Sequence, residues 1–426
     1  MGIDGGCFDQ IKPLLKKDLL PNFKKILENG YSSTLKVTLP PLTIPSWPCL
    51  FSGLTPEKLG YYTFIHPEKG LFNSSIWKEE SIFSLPNLKI FVLNVPGTFP
   101  AWKINGEMVT GMLSPSLSCF PPELKYFLNK NWIINGKSIR DIFKSFDMKK
   151  NLFLRKLKED FDLLVYVIRM PDSLSHHANV NRKLLTKYIN IGYRKIDNFI
   201  GKILNDRDVE NLIIISDHGL KFYDYGFYIK RWLEKKNLLY LNNNKGEKIN
   251  NLIQKYYRIV KPYFKKFPFK NYYKNVLKMK DNKQKNRKKA LIKIEKRTRV
   301  QHFIANVGGL FLSNKDNSKR DIIQEAFEND KDIVQIIKPE LRGFPDFFII
   351  LKKNYVFITK PSFSVKMKRN NRINHDQFGL FIAYGKKIKI GFKDHVDYIN
   401  IAPTILNLLN KEKPNYMIGE PLNIFK

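Results

Sequence analysis

The sequence predicts an α/β fold, a three-layer αβα sandwich around a mainly parallel central sheet. Several short apolar runs are continuous rather than alternating, which is typical of strands buried on both faces of a parallel sheet. Between these runs lie segments with apolar residues at helical spacing. Such alternation of strand and helix is typical of a sheet that helices cover on both sides.

Four apolar runs are the clearest predicted strands. They are KIFVLNVPG (89–97), DLLVYVIRMPD (162–172), NLIIISDHG (211–219) and DFFIIL (346–351). Because all four are continuously apolar, we expect each of them in the buried parallel sheet.

Two segments are predicted helices. Residues 184–204 carry apolar side chains at helical spacing, and residues 398–409 show a similar pattern. In α/β sheets of this kind, ligands gather at the carboxyl ends of the strands. We therefore expect functional side chains directly after the apolar runs.

The length and the apolar content of the chain indicate a folded, soluble protein. At 426 residues, it is long enough for roughly two to three domain-sized units. No apolar run reaches the roughly 18 residues that a membrane-spanning helix needs, and the first residues do not resemble a signal peptide. We therefore expect a cytoplasmic protein without a transmembrane segment. Cys7, Cys49 and Cys119 lack metal-binding spacing, and we interpret them as buried, reduced thiols.

Basic residues are concentrated in one segment of a chain whose net charge is +35. Residues 255–299 contain 18 Lys or Arg but only two acidic residues, with eight aromatic residues interleaved. This composition predicts a small helical insertion at 245–299. The core of the main domain would then occupy 1–244, and 300–426 would be the remainder of the same domain.

The basic segment has two interpretations. Clustered cations with interleaved aromatic residues suit the binding of nucleic acid or of an anionic membrane surface. Long runs of charge are more often a solvated helix face, with the aromatic residues packed on the core. We favour the solvated face, and nucleic acid or membrane binding through 255–299 stays an open alternative.

Aspartate and histidine residues follow several of the predicted strands or occur in similar turns. In their sequence contexts they are GIDGG (Asp4), MPDSLSHH (Asp172 and His176), IIISDHG (Asp217 and His218) and NHDQFG (His375). Three carboxylates and three imidazoles are enough ligands for two transition-metal ions. A metal-dependent phosphoryl-transfer enzyme is therefore the leading hypothesis.

Asp217 and His218 have the clearest local context of these residues. They come just past an apolar run, where the flexible backbone at Gly219 would let both side chains turn towards one ion. In isolation, an SDHG sequence is equally typical of a turn that caps a helix. The preceding strand favours the metal-binding interpretation.

The other histidines are less specific. Asp172 and His176 are four residues apart and can share one helical face, although this spacing is common. His177 competes with His176, and we interpret His177 as structural. An isolated histidine such as His375 is more often a satisfied core or surface residue.

Thr43 is the candidate nucleophile and lies in a proline-rich turn, PPLTIPSW (40–47). Prolines restrict the neighbouring backbone, which favours a hydroxyl held in one orientation. Contact with a divalent ion would favour the alkoxide of Thr43 and direct it towards a substrate. Ser46 is the rival, and without metal ligands nearby either hydroxyl would be structural.

Further motifs occur together with these residues in a fixed order. From the first to the last they are GIDGG (2–6), LPNFKKILENG (20–30), PPLTIPSWPCLFSGLTPEKLG (40–60), NVPGTFP (94–100), MPDSLSH (170–176), SDHG (216–219), NHDQFGLFIAYG (374–385) and DYINIAPTIL (397–406). In this order they resemble the motifs of the type I phosphodiesterase/nucleotide pyrophosphatase family of the alkaline phosphatase superfamily. The resemblance covers most of the chain except the basic segment.

The resemblance implies an alkaline-phosphatase-like fold with two metal sites. One site would contain Asp172, His176 and His375, and the other would contain Asp4, Asp217 and His218 with Thr43 beside it. The family usually uses zinc, and some members use manganese. The implied reaction is hydrolysis of a phosphate diester or pyrophosphate bond in a small phosphate ester, through a phosphothreonine intermediate on Thr43.

Three other functions stay open. A phosphomonoester hydrolase or a phosphonate hydrolase would share the nucleophile and all the ligands. The third is a non-catalytic relative that binds nucleic acid or anionic surfaces through the basic segment. Retention of all seven site positions argues against this third function, because a binding protein has no chemical need for them.

Overall fold

The computed structural model describes residues 1–66, 68–128, 132–177, 181–206, 209–236, 298–304, 306–312, 317–339, 344–352, 354–360, 362 and 364–426. Residues 245–297 of the predicted basic insertion lie outside the described residues, so the hypotheses about that segment stay predictions. Within the described ranges, no helix is both long enough and apolar enough to cross a membrane.

The described residues form strands along most of the chain. In chain order they are β1 (Gly2–Ile3), β2 (Tyr31–Lys36), β3 (Ile65–His66), β4 (Gly70–Leu71), β5 (Ile90–Leu93), β6 (Gly106–Val109), β7 (Cys119–Phe120), β8 (Leu163–Ile168), β9 (Asn211–Ile215), β10 (Gly219–Tyr228), β11 (Thr298–Ile304), β12 (Val307–Leu312), β13 (Ile333–Ile337), β14 (Phe347–Leu351), β15 (Tyr355–Ile358), β16 (Lys366–Asp376), β17 (Phe378–Gly385) and β18 (Gly391–Asp397). The strands predicted at 89–97, 162–172 and 211–219 are β5, β8 and β9.

Helices alternate with these strands. They are α1 (Phe8–Leu15), α2 (Pro21–Glu28), α3 (Thr43–Ser52), α4 (Pro56–Leu59), α5 (Leu124–Phe127), α6 (Ile139–Lys156), α7 (Met170–Ser175), α8 (Arg182–Leu204), α9 (Ile229–Lys235), α10 (Asn317–Glu328) and α11 (Ile401–Leu408), with short 3-10 turns at Ser74–Ile76, Lys78–Glu80, Ile82–Ser84 and Tyr398–Asn400. Both predicted helices are confirmed, since 184–204 lies in α8 and 398–409 contains a 3-10 turn followed by α11.

Among the described residues, nine strands form the central sheet, in the order β18-β2-β17-β9-β1-β8-β5-β6-β7. Five of the eight neighbouring pairs are parallel, which confirms the predicted mainly parallel sheet. The short strand β1 lies between β8 and β9, with Ile3 opposite Ile168 and Gly2 opposite Ile215. The carboxyl ends of these three parallel strands therefore lie side by side.

Apolar side chains cover both faces of this sheet. In β17, Leu380 and Ile382 belong to one apolar cluster, whereas Phe381 and Ala383 belong to another. Helices α3 and α11 contribute to the cluster that contains Phe381, and α6 and α8 contribute to the other cluster. The sheet is thus enclosed between two helical layers, as the αβα prediction requires.

A second, smaller sheet of the order β11-β12-β14-β13 contains the predicted strand at 346–351. Our expectation that this strand belongs to the parallel sheet is wrong, because β14 pairs antiparallel with both β12 and β13. Its residues alternate between two apolar clusters, one with Trp232 and the other with Tyr62. Burial on both faces produces a continuous apolar run whichever way the neighbouring strands point.

A three-stranded sheet of the order β15-β10-β16 lies between the four-stranded sheet and the central sheet along the chain. Strand β10 begins at Gly219, directly after Asp217 and His218, and pairs antiparallel with β16. In this register Leu220 lies opposite His375. The pairing therefore brings a histidine from late in the chain beside the carboxyl end of β9.

Candidate active site

Asp4 lies at the carboxyl end of β1 and is fully buried. Its backbone N–H donates to the Ile168 carbonyl at 2.9 Å, which extends the pairing of β1 with β8. The next residue, Gly5, has a φ of +74°, and its N–H donates to Asp217 Oδ1 at 3.2 Å. A Cβ at Gly5 would lie 3.2 Å from the Asp172 Cβ and would strain this left-handed backbone. Glycine here therefore lets three segments that carry carboxylates approach one another.

Asp172 and His176 lie on and just after α7, which begins two residues beyond β8. The Asp172 N–H donates to the Asp4 carbonyl at 3.2 Å, so the start of this helix is tied to the end of β1. His176 Nε2 lies 3.1 Å from Asp172 Oδ1; the Asp172 side chain is buried and the His176 side chain is 59% exposed. The rival residue His177 belongs to neither group of candidate metal ligands found among the described residues.

Asp217 and His218 follow β9, and both are fully buried. Their backbone is held by Ser216, whose N–H donates to the Leu380 carbonyl at 3.1 Å and whose Oγ accepts from the Leu380 N–H at 2.7 Å. His218 Nε2 lies 3.3 Å from Asp4 Oδ1 and 3.4 Å from Asp217 Oδ2. Neighbouring strand ends of one sheet thus bring two carboxylates and an imidazole together.

His375 reaches the same place from β16. Its Nε2 lies 3.1 Å from Asp172 Oδ1, and its ring stacks on that of His218 with centroids 3.5 Å apart and an interplanar angle of 12°. Its other ring nitrogen, Nδ1, lies 2.9 Å from the Pro41 carbonyl. His375 therefore contacts residues from three separate parts of the chain.

The six predicted ligands come together in two groups. We name Asp4, Asp217 and His218 the buried triad, and Asp172, His176 and His375 the open triad. Within each triad the candidate ligand atoms all lie within 4.8 Å of one another. These are the two groups that the family resemblance implies, assembled from segments that are far apart in the sequence.

Five buried polar atoms of the triads lack a hydrogen-bond partner among the described residues. They are Asp4 Oδ1, Asp172 Oδ1, Asp217 Oδ2, His218 Nε2 and His375 Nε2. Several of these atoms approach one another at ion-pair distances without hydrogen-bond geometry. Leaving buried polar atoms unpaired is costly, whereas one cation in each triad would satisfy them. A donor set of carboxylates and imidazoles fits zinc and other divalent transition metals.

Backbone carbonyls determine which ring nitrogen faces each triad. Nδ1 of His218 lies 3.1 Å from the Gly219 carbonyl, and Nδ1 of His375 lies 2.9 Å from the Pro41 carbonyl. A carbonyl oxygen can only accept, so Nδ1–H is the donor and a neutral ring has its lone pair on Nε2. Histidines that bind metals commonly donate their second ring nitrogen to a carbonyl in this way.

The ionisable side chains of the triads change one another's pKa. Burial acts to raise the pKa of Asp172, but His176 and His375 hold this pKa well below its ordinary value. Burial and a neighbouring carboxylate raise the pKa of Asp217 well above its ordinary value. Burial opposes the protonation of His218, yet the charge of Asp217 and further carboxylates raise its pKa to about 10. The triads thus concentrate negative charge that bound cations would compensate.

Arg169 is a site residue that the sequence analysis missed. Its Nε donates to Asp4 Oδ2 at 2.9 Å, and its Nη2 donates to Asp172 Oδ2 at 3.1 Å. Desolvation acts to lower the pKa of Arg169, but the two carboxylates raise it above its ordinary value. The signal in the sequence is weak: Arg169 directly follows an apolar run and precedes Asp172 by three residues.

Thr43 is the first residue of α3 and is almost completely buried. It lies two residues after Pro41, whose carbonyl oxygen contacts His375 Nδ1. Ser46, the rival hydroxyl, is fully buried, and its Oγ lies 2.6 Å from Thr38 Oγ1. The segment that carries Thr43 therefore contacts the open triad, whereas the Ser46 hydroxyl belongs to a buried hydroxyl pair.

Comparison with known protein families identifies a match over most of the chain. The family model for type I phosphodiesterase / nucleotide pyrophosphatase matches residues 1–371. This range includes every predicted site residue except His375. No curated protein sequence matches the chain.

Solved structures of ectonucleotide pyrophosphatase / phosphodiesterase 5 (ENPP5) have a similar fold. The murine protein aligns with a TM-score of 0.57 and 13% identity, covering 100% of this chain and 98% of the murine chain. An inactive Thr-to-Ala variant of murine ENPP5 in complex with AMP aligns with a TM-score of 0.58 and 13% identity, covering 100% of this chain and 99% of that chain. Human ENPP5 aligns with a TM-score of 0.55 and 14% identity, covering 100% of this chain and 99% of the human chain. At such low identity the likeness establishes the shared alkaline-phosphatase-like fold.

Family, fold and site geometry agree with one another. The family model spans most of the chain, and the ENPP5 fold spans all of it. The matched family is metal-dependent, and the two triads are candidate metal-binding groups. The chain is therefore an enzyme that belongs to the type I phosphodiesterase / nucleotide pyrophosphatase family.

Proposed function

We propose that this enzyme hydrolyses phosphate diester or pyrophosphate bonds with Thr43 as nucleophile and with one divalent cation in each triad. The single observation that carries the proposal is the convergence of the two triads, in which five buried oxygen and nitrogen atoms have no hydrogen-bond partner among the described residues. Three imidazoles and three carboxylates favour zinc, with manganese as the alternative. The proposed substrate is a small phosphate ester.

The proposed roles of the side chains follow from their positions. Asp4, Asp217 and His218 of the buried triad would hold one cation, and the open triad would hold the second. Paired divalent cations, when bound, polarise a phosphoryl group and favour the ionised form of a nearby hydroxyl. Gly5 and Ser216 keep the backbone of the buried triad in place through the hydrogen bonds described above.

In the proposed reaction, Thr43 Oγ1 loses its proton to solvent and forms a bond to phosphorus. The bond from phosphorus to the leaving oxygen breaks, and the leaving group departs as an alcohol or a phosphate. Water then attacks phosphorus, the bond from phosphorus to Thr43 Oγ1 breaks, the phosphate product is released, and Oγ1 regains a proton from solvent. Dividing one difficult displacement into two easier steps is the usual advantage of a covalent intermediate.

Three observations support Thr43 over Ser46 as the nucleophile. The Ser46 hydroxyl is fully buried against the Thr38 hydroxyl, which leaves it poorly placed to reach a substrate. The segment of Thr43 is anchored to His375 through the Pro41 carbonyl. A murine relative with a Thr-to-Ala substitution is inactive and was solved with AMP, which supports an essential threonine and makes nucleotides the first substrates to try.

The test is a pair of hydroxyl deletions. We expect Thr43→Ala to lower turnover of bis(p-nitrophenyl) phosphate, or of a nucleotide substrate, by at least about 10³-fold in the presence of Zn²⁺ or Mn²⁺. Ser46→Ala should keep activity within about tenfold and lower the free energy of unfolding by about 1 kcal/mol, because it removes one buried hydrogen bond. Unchanged turnover in Thr43→Ala would eliminate the proposed nucleophile.

A further inference from the structure

The Arg169 guanidinium connects the two triads. It donates to one carboxylate oxygen of each, with Nε 2.9 Å from Asp4 Oδ2 and Nη2 3.1 Å from Asp172 Oδ2. The arginine side chain is 19% exposed, whereas both carboxylates are almost completely buried. These are charge-assisted hydrogen bonds in a buried setting, where such bonds are strong.

Backbone pairing fixes Arg169 between its two partners. Ile3 and Ile168 are opposite each other in the parallel pair, so Asp4 and Arg169 leave neighbouring strands at the same level. The Asp172 N–H returns to the Asp4 carbonyl at 3.2 Å. The positions of all three side chains are therefore determined by one short stretch of sheet and the first turn of α7.

The two oxygens of each carboxylate have different surroundings. Asp4 Oδ2 and Asp172 Oδ2 accept hydrogen bonds from Arg169. Asp4 Oδ1 faces His218 Nε2 at 3.3 Å, and Asp172 Oδ1 faces His176 Nε2 and His375 Nε2 at 3.1 Å each. Within the part of the chain that the structure describes, Asp4 Oδ1 and Asp172 Oδ1 have no hydrogen-bond partner. One oxygen of each carboxylate is thus directed at its triad, and the other is held by the arginine.

We propose that Arg169 is a positioning residue that restricts Asp4 and Asp172 to binding their cations through one oxygen each. This inference rests on the proposed function, because it assumes that the triads bind cations. A free carboxylate can bind a cation through one oxygen or through both. Chelation by both oxygens here would bring the cation close to the positively charged guanidinium, which competes with it for the Oδ2 atom. Single-oxygen binding leaves coordination positions open for a substrate, as a catalytic metal site requires.

The guanidinium has two separable properties, its charge and its planar fork of donors. A lysine at this position would keep the charge, but one ammonium group cannot reproduce the two directed hydrogen bonds. A glutamine would remove the charge and both arginine contacts. Comparing the two variants therefore separates charge compensation from positioning.

The test is the visible absorption of protein loaded with Co²⁺, because cobalt absorbs more weakly as its coordination number rises. We expect the absorption per bound cobalt to fall severalfold in Arg169→Gln, as the released carboxylates chelate, and to fall by less in Arg169→Lys. Activity should fall by about 10–100-fold in Arg169→Gln, the usual effect of removing a group that orients metal ligands. The matched control is Arg231→Gln, which removes an arginine paired with Glu234 and should keep the wild-type spectrum.

The outcomes distinguish this inference from the proposed function. Wild-type protein that does not bind Co²⁺ would overturn both. Binding by all variants with the same absorption per cobalt would overturn the role of Arg169 and leave the proposed metal sites intact. A wild-type spectrum in Arg169→Lys would reduce Arg169 to a source of charge, which also contradicts positioning. If Arg169→Gln does not fold, the lysine variant still decides between these outcomes.

Discussion

The two triads differ most in their exposure to solvent. All three members of the buried triad are fully buried, whereas in the open triad the His176 side chain is 59% exposed. The buried triad is therefore shielded from solvent, whereas the open triad is accessible to solvent at His176. One half of the site is thus built like a protein core, whereas the other half is open to solvent through one of its three candidate ligands.

The two triads also differ in how the chain builds them. In the buried triad, Asp4 and Asp217 leave adjacent parallel strands, so sheet pairing alone brings them together. In the open triad, Asp172 comes from α7 and His375 from β16, which pairs with β10 outside the central sheet. The open triad therefore depends on two further elements being placed correctly.

The largest expected effect is that of Asp217→Ala in the buried triad. It removes one of the three candidate ligands of the buried triad, a fully buried carboxylate that also accepts a hydrogen bond from the Gly5 N–H. We expect turnover of a phosphate diester to fall by at least about 10³-fold. Steady-state kinetics with added Zn²⁺ measures this, and a loss of less than tenfold would contradict the difference between the triads.

His176→Ala in the open triad should have a smaller effect. Asp172 and His375 stay in place, and solvent can supply a replacement ligand at an exposed position. We expect a loss of about 10–100-fold in turnover, together with weaker binding of one cation. His177→Ala is the matched control and should keep near wild-type kinetics, because His177 belongs to neither triad. Equal losses of turnover in His176→Ala and Asp217→Ala would contradict the proposed difference between the two triads.

Lys149 is a buried lysine that forms no ion pair with a carboxylate among the described residues. Lys149 lines the same cavity as Arg169, and its Nζ donates to the Ile134 carbonyl at 2.9 Å. Burial, with a contribution from the positive charge of Arg169, lowers the pKa of Lys149 to about 7. The corresponding pKa in an unfolded chain is about 10.4, so between these values the unfolded state binds one more proton. The free energy of unfolding should therefore rise with pH by about 1.4 kcal/mol per unit from this group.

Lys149→Met should remove this part of the pH dependence and stabilise the protein below about pH 7. Urea unfolding at several pH values between about 7 and 10 measures the slope. Lys150→Met is the control, because it removes the adjacent lysine, which pairs with Asp147. A slope in Lys149→Met as steep as in the wild type would show that another group causes it.

The sequence was most informative where the site depends on strand ends. Continuous apolar runs placed Asp172, Asp217 and His218 after buried strands, and the structure has all three at or just beyond β8 and β9. His375 was different, because its place depends on a long-range antiparallel pairing that no local pattern reveals. Only the ordered family motifs pointed to it.

Local sequence patterns did not predict two other features of the structure. Arg169 was missed because an arginine bound to two carboxylates looks, in sequence, like any arginine at the end of a strand. The strand at 346–351 was assigned to the wrong sheet because burial on both faces does not report the direction of its neighbours. The basic segment at 255–299 lies almost entirely outside the described residues, and its binding partner stays a prediction.

The most direct test is the metal content of the purified wild-type enzyme after equilibration with Zn²⁺ and removal of free metal. If the six converging side chains form two cation sites, elemental analysis should give about two ions per chain in the wild type and about one in Asp217→Ala. Fewer than one tightly bound ion in the wild type, or an unchanged content in Asp217→Ala, would contradict the two-cation site.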